Sequence, residues 1–219
     1  MYKNKKILGL ILARANSKRL PGKNFLKLSG KPLVVWTIDE ALKSNILDNL
    51  ILSTDDKKII NYTKKINGLL TIKRSKKLSL DNTKSEDVVL DIINKSKTKF
   101  DIICLLQPTS PFRKFYDIDK SIKKMINEKR CAVISACYED RYRKWPIDTK
   151  NGFFEKFSIR KNLNGYSLNG AIYAADVSFF KKKRNFVTNK TIIYSMPKSR
   201  SIDIDTKSDF LLAEKKLTK

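Results

Sequence analysis

Hydrophobic and polar positions are arranged along the chain in blocks that switch between two periods. Short apolar runs bounded by charged residues predict buried strands, whereas apolar residues three or four positions apart predict helices with one buried face. The predicted strands cover residues 7–13, 49–53, 69–72, 101–106, 132–136, 170–175 and 192–196. The predicted helices cover residues 33–43, 57–66, 85–94, 117–128 and 207–217. This alternation predicts an α/β fold in which helices cover both faces of a mainly parallel sheet, with ligands bound beyond the carboxyl ends of its strands.

Residues from about 138 to 168 depart from this alternation. Charged residues cluster between positions 139 and 144, and aromatic residues follow, Trp145 among them. Asn151-Gly152 is a dipeptide typical of a two-residue β-hairpin turn. We interpret the stretch as an insertion into a single domain, because a chain of 219 residues is too short for two large domains.

The charge balance is strongly positive, with 47 Lys and Arg against 22 Asp and Glu and a net charge of +25. Such a surplus attracts phosphate groups, whether they belong to a nucleic acid, an anionic membrane or a nucleotide. The cations are nevertheless spread along the whole chain and are not interleaved with aromatic residues. This distribution favours a general compositional drift over a dedicated nucleic-acid-binding surface.

Several classes of site are excluded by composition. The chain has no histidine, which removes Ser-His-Asp triads and histidine-ligated metals. Its three cysteines form no C-x-x-C pair, so neither a disulfide framework nor a thiolate zinc site is expected. No stretch approaches ~18 consecutive apolar residues, so we expect no membrane span and no signal peptide, and hence a cytoplasmic protein. Acid–base or metal chemistry therefore falls to carboxylates, lysines or hydroxyls.

The loop after the first strand is the first candidate site. It carries the four cations Arg14, Lys18, Arg19 and Lys23 together with small polar residues, a composition that can cradle a polyphosphate through charge and backbone N–H groups. It does not match the P-loop pattern of nucleoside-triphosphate-binding proteins. In a chain this rich in lysine, an ordinary solvated basic loop is the alternative interpretation.

The second candidate is a pair of carboxylates, Asp203 and Asp205. In an extended segment, residues two apart point to the same side, which suits a Mg²⁺ ion that takes one or two carboxylate ligands and completes its shell with phosphate and water. Thr206 and Asp209 match a capping box that would start the last helix. The alternative is that the two carboxylates serve only as turn and cap residues.

The third candidate is Gln107, which follows a predicted strand in the sequence LQPTSPFR. Two prolines stiffen this loop, and the Gln107 amide is able to hydrogen-bond a base or a sugar. A stiff structural turn without a ligand is equally compatible with the pattern. Ser53, Thr54 and Asp55 also end a predicted strand, a position compatible both with site residues and with caps of the next helix.

Taken in order, these segments resemble the acylneuraminate cytidylyltransferase family, whose members make CMP-activated sialic acids and related nine-carbon keto-sugar acids. The resemblance extends over roughly residues 6–217. It is carried by LAR-x-x-SK-x-x-P-x-KN at 12–24, GKPL at 30–33, STD at 53–55, LQPTSP-x-R at 106–113, NGAIY at 169–173 and DIDT at 203–206.

The resemblance implies a Rossmann-like nucleotidyltransferase fold over residues 1–219, with the insertion at about 138–168 as a small dimerisation subdomain. It also implies that the anomeric hydroxyl of a nonulosonic acid attacks the α-phosphate of CTP and displaces pyrophosphate, with Mg²⁺ bound by Asp203 and Asp205. The catalytic residues implied are Arg14, Lys23, Asp203 and Asp205. The nucleotide-binding residues implied are Leu12, Ala13, Arg14, Ser17, Lys18, Lys23 and Asn24.

The resemblance also implies a homodimer whose sugar site is shared between subunits, with no nucleic-acid or membrane partner. The sugar-binding residues implied are Gln107, Lys144, Arg160 and Phe186. The chain departs from the sialate pattern at Ser167, where an arginine is common, and in this respect it is closer to the legionaminate-like branch. A CMP-Kdo synthetase-like enzyme, an inactive scaffold and a basic nucleic-acid-binding module are the alternatives.

Overall fold

The computed structural model describes residues 1–139, 146–157 and 165–218. Strands and helices alternate over much of this length. The strands are β1 (Ile7–Ala13), β2 (Lys27–Leu28), β3 (Lys31–Pro32), β4 (Asn49–Thr54), β5 (Leu69–Lys73), β6 (Ile102–Leu106), β7 (Ala132–Glu139), β8 (Pro146–Lys150), β9 (Phe153–Phe157), β10 (Gly165–Asp176) and β11 (Thr191–Ser195). The helices are α1 (Leu33–Leu42), α2 (Lys57–Thr63), α3 (Ser85–Lys95), α4 (Phe115–Asn127), α5 (Val177–Lys183) and α6 (Lys207–Leu217).

The strands and helices predicted from periodicity are confirmed, with ends that shift by a few residues. The largest shift is in β10, which begins at Gly165, five residues before the predicted start. The sequence analysis missed the short strands β2 and β3 and the helix α5. These elements are only two to seven residues long, too short to show a clear period.

Nine of the described strands form one sheet in the order β5-β4-β1-β6-β10-β7-β11-β9-β8. The pairings β5–β4, β4–β1, β1–β6 and β7–β11 are parallel, and the remaining five are antiparallel. The α/β class is therefore confirmed, whereas the expected mainly parallel sheet is corrected to a mixed one. The difference arises at β10, which lies antiparallel between β6 and β7. A parallel return needs a crossover connection, usually a helix, whereas the described part of the chain between β7 and β10 forms the strands β8 and β9.

The parallel half of the sheet positions the site. The chain passes from β1 outward to β4 and β5, and then returns to the other side of β1 with β6. The strand order thus reverses between β1 and β6. In open α/β sheets, the crevice beyond the carboxyl ends of the strands at such a reversal is the preferred place for a ligand. The loops after β1 and β6 hold two of the candidate sites predicted from the sequence.

Side chains of the central strands alternate between two buried layers. Ile7, Ile11 and Ala13 pack toward α1, α2 and α4, whereas Leu8 and Leu10 pack toward α3 and α5. This alternation follows from the period of two along a strand whose two faces are both covered. No helix among the described residues is long and apolar enough to span a membrane.

The hairpin predicted at Asn151-Gly152 is confirmed. Strands β8 and β9 pair antiparallel, and the turn between them places Asn151 at φ 50° and Gly152 at φ 79°. Positive φ at both turn residues is the backbone of a two-residue turn that favours Asn-Gly.

Candidate active site

A cavity of about 540 Å³ opens beyond the carboxyl ends of β1 and β6. It is lined by residues of the loop after β1, of the segment before α3, and of the loop after β6. The candidates that line it are Leu12, Arg14, Ser17, Lys18, Arg19, Lys23, Asn24, Gln107 and Asp205. Eight of these nine side chains are polar or charged, so the cavity suits a polar, anionic ligand.

Hydrogen bonds hold the basic loop in place. The Ala15 backbone N–H donates to Asp55 Oδ1 at 2.8 Å, and Asn24 Nδ2 donates to the Arg14 carbonyl at 3.0 Å. Asn24 is buried, although it carries a side-chain amide. Asp55, from the Ser-Thr-Asp sequence after β4, thus orders the loop, which explains why a carboxylate stands at that position.

Two carboxylates face the four cations of the loop. Asp81 lies 3.2 Å from both Arg14 Nη1 and Lys18 Nζ. Asp205 lies 3.1 Å from Lys23 Nζ and 3.0 Å from Arg19 Nη2. The four loop cations are therefore matched by two carboxylates, and Arg74, which also lines the cavity, brings the surplus to three positive charges, which attracts an anion.

Arg74, at the end of β5, is a cavity residue that the sequence analysis missed. Its Nη2 donates to the Ser53 carbonyl at 2.8 Å and its Nε to Ser53 Oγ at 3.2 Å. Burial lowers the pKa of its guanidinium. The available signal was its position, since Arg74 directly follows a parallel strand at the edge where the other candidates lie.

A second cavity of about 400 Å³ adjoins the first. Gln107, Asp205 and Arg19 line both cavities, so these side chains lie at the junction. The second cavity is otherwise lined by more apolar residues, including Leu168, Tyr173 and Phe186. The polar first cavity and the partly apolar second cavity therefore meet at the Asp205 carboxylate and the Gln107 amide.

Arg113 fixes the loop that carries Gln107. Its Nη1 donates to the Gln107 carbonyl at 3.2 Å and to the Ala171 carbonyl at 2.8 Å, joining this loop to β10. The side chain is fully buried, and burial lowers its pKa to about 10. Thr37 Oγ1 also donates to the Gln107 carbonyl, at 3.3 Å. Gln107 is thus held by its backbone, while its side chain is directed toward the cavities.

The segment with Asp203 and Asp205 is attached to the other candidate loops. The Ile204 backbone N–H donates to the Thr109 carbonyl at 2.8 Å, and Lys23 Nζ donates to the Ile204 carbonyl at 3.1 Å. The predicted capping box at Thr206 is confirmed and starts α6. Asp203 and Asp205 both line the second cavity.

The pair fits a hard divalent cation. Two carboxylates beside a site for phosphates are the protein ligands that Mg²⁺ usually takes. Asp205 already neutralises two side-chain cations, which shows that its environment favours bound positive charge. Within the described ranges no group of three or more His, Cys, Asp or Glu side chains could hold a metal ion. Mg²⁺ usually takes only one or two carboxylates from a protein and keeps water or phosphate oxygens as its other ligands.

Asn169 and Gly170 shape the wall of the second cavity. Asn169 Oδ1 accepts a hydrogen bond from Ser135 Oγ at 2.6 Å, and Asn169 Nδ2 donates to Ser201 Oγ at 2.9 Å. Gly170 has a φ of 72°, and a Cβ there would lie 3.7 Å from both Asp203 Oδ2 and Gln107 Oε1. Asn169 therefore connects β10 to the turn before Asp203. Gly170 leaves space between the side chains of Asp203 and Gln107.

The remaining candidates lie in different surroundings. Phe186 is buried against Phe180, with ring centroids 4.4 Å apart, and it lines the second cavity of its own chain. Ala13 is fully buried in the core, so only its backbone is available to a ligand. Lys144 and Arg160 lie outside the described residues.

Comparison with known proteins places these motifs in a wider group. Residues 8–192 match a family model described as cytidylyltransferase. The chain is 35% identical to the CMP-N,N'-diacetyllegionaminic acid synthase of Legionella pneumophila, over 96% of this chain and 95% of the relative. It is 28% identical to the pseudaminic acid cytidylyltransferase of Campylobacter jejuni, over 95% of both chains. The N-acylneuraminate cytidylyltransferase of Streptococcus agalactiae is 30% identical over 92% of this chain, which spans only 51% of that relative.

Solved structures share the fold at lower identity. A CMP:2-keto-3-deoxy-manno-octonic acid synthetase in complex with CTP has a TM-score of 0.80 and 17% identity, with 97% of this chain and 98% of that chain covered. A 4-diphosphocytidyl-2C-methyl-D-erythritol synthase from Anaerococcus prevotii has a TM-score of 0.71 and 16% identity, with 98% and 97% covered. The mixed α/β arrangement of this chain is therefore that of known nucleotidyltransferases.

Proposed function

The chain belongs to the cytidylyltransferase family, and we propose that it transfers CMP from CTP to the anomeric hydroxyl of a nine-carbon keto-sugar acid, releasing pyrophosphate. The observation that carries this proposal is the junction of the two cavities at Gln107 and Asp205. A transfer between two substrates requires two adjoining spaces and charged groups where they meet. The polar first cavity then takes CTP, and the second takes the acceptor sugar.

The nucleotide is held by the loop after β1. Arg14, Lys18 and Lys23 supply the positive charge for the triphosphate, and Ser17 supplies a hydroxyl at the same wall. Leu12 and the backbone of Ala13 lie at the end of β1, where we place the cytosine. Asn24 lines the same cavity and holds the loop in position by a hydrogen bond to the Arg14 carbonyl.

The reaction forms one bond and breaks one. The anomeric oxygen of the sugar bonds to the α-phosphorus, and the bond from that phosphorus to the bridging oxygen of the leaving pyrophosphate breaks, with its electron pair kept by pyrophosphate. Arg14 and Lys23 neutralise the charge that develops on the leaving group, which is the main task in phosphoryl-type transfer. Asp205 lies at the junction and accepts the proton of the attacking hydroxyl.

Mg²⁺ is the metal that this donor set fits, with Asp203 and Asp205 as its protein ligands. When bound, the ion would polarise phosphate oxygens and add positive charge to the site. Lys23 and Arg19 both pair with the Asp205 carboxylate, so a bound ion would compete with these two side chains for it.

The acceptor is inferred from the relatives and from the second cavity. The relatives that the chain matches along nearly their whole length act on legionaminic and pseudaminic acids by name. Gln107 and Phe186 line the cavity, and Ser167, where an arginine is common in the sialate pattern, is buried in β10. We propose that Lys144 and Arg160 bind the sugar carboxylate, with a legionaminate-like acid as the preferred substrate class.

Assembly and location are part of the same proposal. We propose that residues 1–219 form one cytidylyltransferase domain and that the insertion at about 138–168 serves as a dimerisation subdomain in a homodimer, acting in the cytoplasm. The pairing of β8 with both β9 and β10 supports a compact unit at that end of the sheet. Sedimentation of the full chain, compared with a chain shortened at the hairpin turn, tests the dimer.

The activity is tested by pyrophosphate release with CTP and Mg²⁺ against legionaminic, pseudaminic, sialic and Kdo acids, with ATP, GTP and UTP as controls. Turnover with CTP and a nine-carbon acid is the expected result. Pyrophosphate release with the eight-carbon Kdo alone would show that the acceptor is an eight-carbon acid. No pyrophosphate release with any of these acids, from a folded protein, would contradict the proposal. Omission of Mg²⁺, with a chelator added, is expected to abolish turnover.

A further inference from the structure

We propose that Asp81 is an exchange partner for the substrate phosphates: its carboxylate pairs with Arg14 and Lys18, leaves them when the triphosphate binds and returns when pyrophosphate departs. This inference rests on the proposed function, because it takes these two cations to be the phosphate-binding groups. It adds a positioning residue that neither the motifs nor the family match assigns.

The geometry places Asp81 where phosphates would lie. Asp81 lines the first cavity, opposite the loop after β1. Its Oδ1 is 3.2 Å from Arg14 Nη1 and its Oδ2 is 3.2 Å from Lys18 Nζ, so each carboxylate oxygen engages one cation. A phosphate group presents a similar pair of anionic oxygens to basic side chains. The carboxylate therefore satisfies the two cations in the way that a bound phosphate would.

The segment around Asp81 allows the carboxylate to move. The turn is closed by its own bonds, since the Thr83 N–H donates to the Leu80 carbonyl at 3.1 Å and Thr83 Oγ1 donates to the Lys77 carbonyl at 3.2 Å. Leu80 is 56% exposed, so it does not anchor the turn in the core. The Asp81 side chain is itself 48% exposed. Withdrawal of Asp81 from the two cations thus breaks two exposed ion pairs and no core packing.

The energetics favour exchange rather than permanent pairing. Ion pairs between exposed side chains are weak because water screens them and because ordering long side chains costs entropy. A triphosphate carries several charges and displaces a single carboxylate. Every ligand that binds these cations must still break the Asp81 pairs first, which lowers its affinity. For pyrophosphate this means easier release, while Arg14 and Lys18 remain ordered between catalytic cycles.

The test measures the affinity of simple probes for the full chain by calorimetry at low salt. Asp81→Asn is expected to bind inorganic tripolyphosphate, pyrophosphate and CTP about three- to tenfold more tightly than the wild type, the range that the loss of two weak ion pairs allows. Cytidine, which has no phosphate, is expected to bind equally to both. Asp81→Ala should show the same pattern, and Asp81→Glu, which keeps the charge, should stay near the wild type.

A matched control separates the contact from the overall charge. Asp91→Asn removes one negative charge from the neighbouring helix α3, where Asp91 pairs with Lys95 at 2.8 Å and does not line the first cavity. Its tripolyphosphate affinity should therefore change less than twofold. An equal gain in Asp91→Asn and Asp81→Asn would overturn the inference and assign the effect to net charge.

Two further outcomes are decisive. If Arg14→Ala and Lys18→Ala weaken tripolyphosphate binding while Asp81→Asn leaves it unchanged or weaker, the exchange role is wrong and the nucleotide site stands. If Arg14→Ala and Lys18→Ala have no effect on tripolyphosphate or CTP, the proposed phosphate loop fails and the role of Asp81 fails with it.

Discussion

Arg200 and Asp117 form a two-pronged ion pair, with Arg200 Nε 2.8 Å from Asp117 Oδ2 and Arg200 Nη2 2.9 Å from Asp117 Oδ1. Asp117 is fully buried in the first turn of α4, and it also accepts a hydrogen bond from Tyr194 Oη at 3.3 Å. Arg200 ends the turn that leads directly to Asp203 and Asp205. Asp117 of α4 therefore fixes the turn that precedes the proposed metal ligands.

Arg200→Lys tests this support. Lysine keeps the charge but loses the parallel pair of hydrogen bonds, so we expect a loss of about 1–2 kcal/mol in the free energy of unfolding. We expect kcat to fall by a larger factor than the KM for CTP rises, because the substitution displaces the carboxylates of Asp203 and Asp205. Denaturant unfolding and steady-state kinetics measure the two effects. Lys198→Ala, in the same turn and exposed, is the control, and wild-type stability in Arg200→Lys would refute the supporting role.

Replacement of the two carboxylates tests the metal site. Asp203→Asn and Asp205→Asn keep the side-chain volume but remove an anionic ligand, so turnover should fall by about a hundredfold or more. A higher Mg²⁺ concentration for half-maximal activity is expected wherever activity remains. Circular dichroism checks that both variants fold, and Asp91→Asn serves as the control for charge. Near-normal kcat in both variants would remove the metal role from these residues.

Gly170→Ala tests the space between the Asp203 and Gln107 side chains at the wall of the second cavity. Its φ of 72° lies in the left-handed region, so alanine should cost about 1–2 kcal/mol of stability. The new Cβ would stand 3.7 Å from Asp203 Oδ2 and from Gln107 Oε1, which should also raise the KM for the sugar acid. Gly30→Ala is the matched control, because Gly30 has a φ of 87° and nothing within 4 Å of the added Cβ. The same kinetics in both variants would show that only backbone strain matters.

Stability at alkaline pH reports on the buried thiol of Cys104. Burial raises the pKa of this thiol from 9.0 to about 12, so the folded chain keeps a proton that the unfolded chain loses above pH 9. The free energy of unfolding should therefore fall as the pH rises from 9 to 10, with a slope approaching about 1.4 kcal/mol per pH unit from this group. Above pH 10, Tyr194, whose pKa is raised to about 12, acts in the same direction, and Arg113, whose pKa is lowered to about 10, acts in the opposite one.

The pH effect is measured by denaturant unfolding between pH 8 and 10. Cys104→Ala should reduce the pH dependence of the free energy of unfolding in that range. The cavity left by the smaller side chain lowers stability at every pH and does not change this slope. Cys131→Ala leaves Cys104 in place and should keep the slope. An unchanged slope in Cys104→Ala would show that another group causes the dependence.

Local features of the fold were predictable from the sequence because they depend on neighbouring residues. β1 follows from an apolar run bounded by charge, and the start of α6 follows from a capping box that spans four residues, Thr206 to Asp209. The Asn151-Gly152 turn was predictable for the same reason, since its positive φ values depend on the residues of the turn itself. The basic loop and the Asp203–Asp205 pair were identifiable as candidates, but local pattern left an ordinary structural role open for each.

Tertiary structure decided how these pieces meet. Arg14 pairs with Asp81 across 67 residues of sequence, and Lys23 pairs with Asp205 across 182. No local period encodes such pairs, because they depend on the order of strands in the sheet and on the reversal between β1 and β6. The antiparallel insertion of β10 and the cavity wall at Arg74 are of the same kind. The sequence by itself determined most helices and strands and the chemistry of their side chains. Long-range strand pairing determined which carboxylate faces which cation, because side chains distant in sequence interact only after the backbone has brought them together.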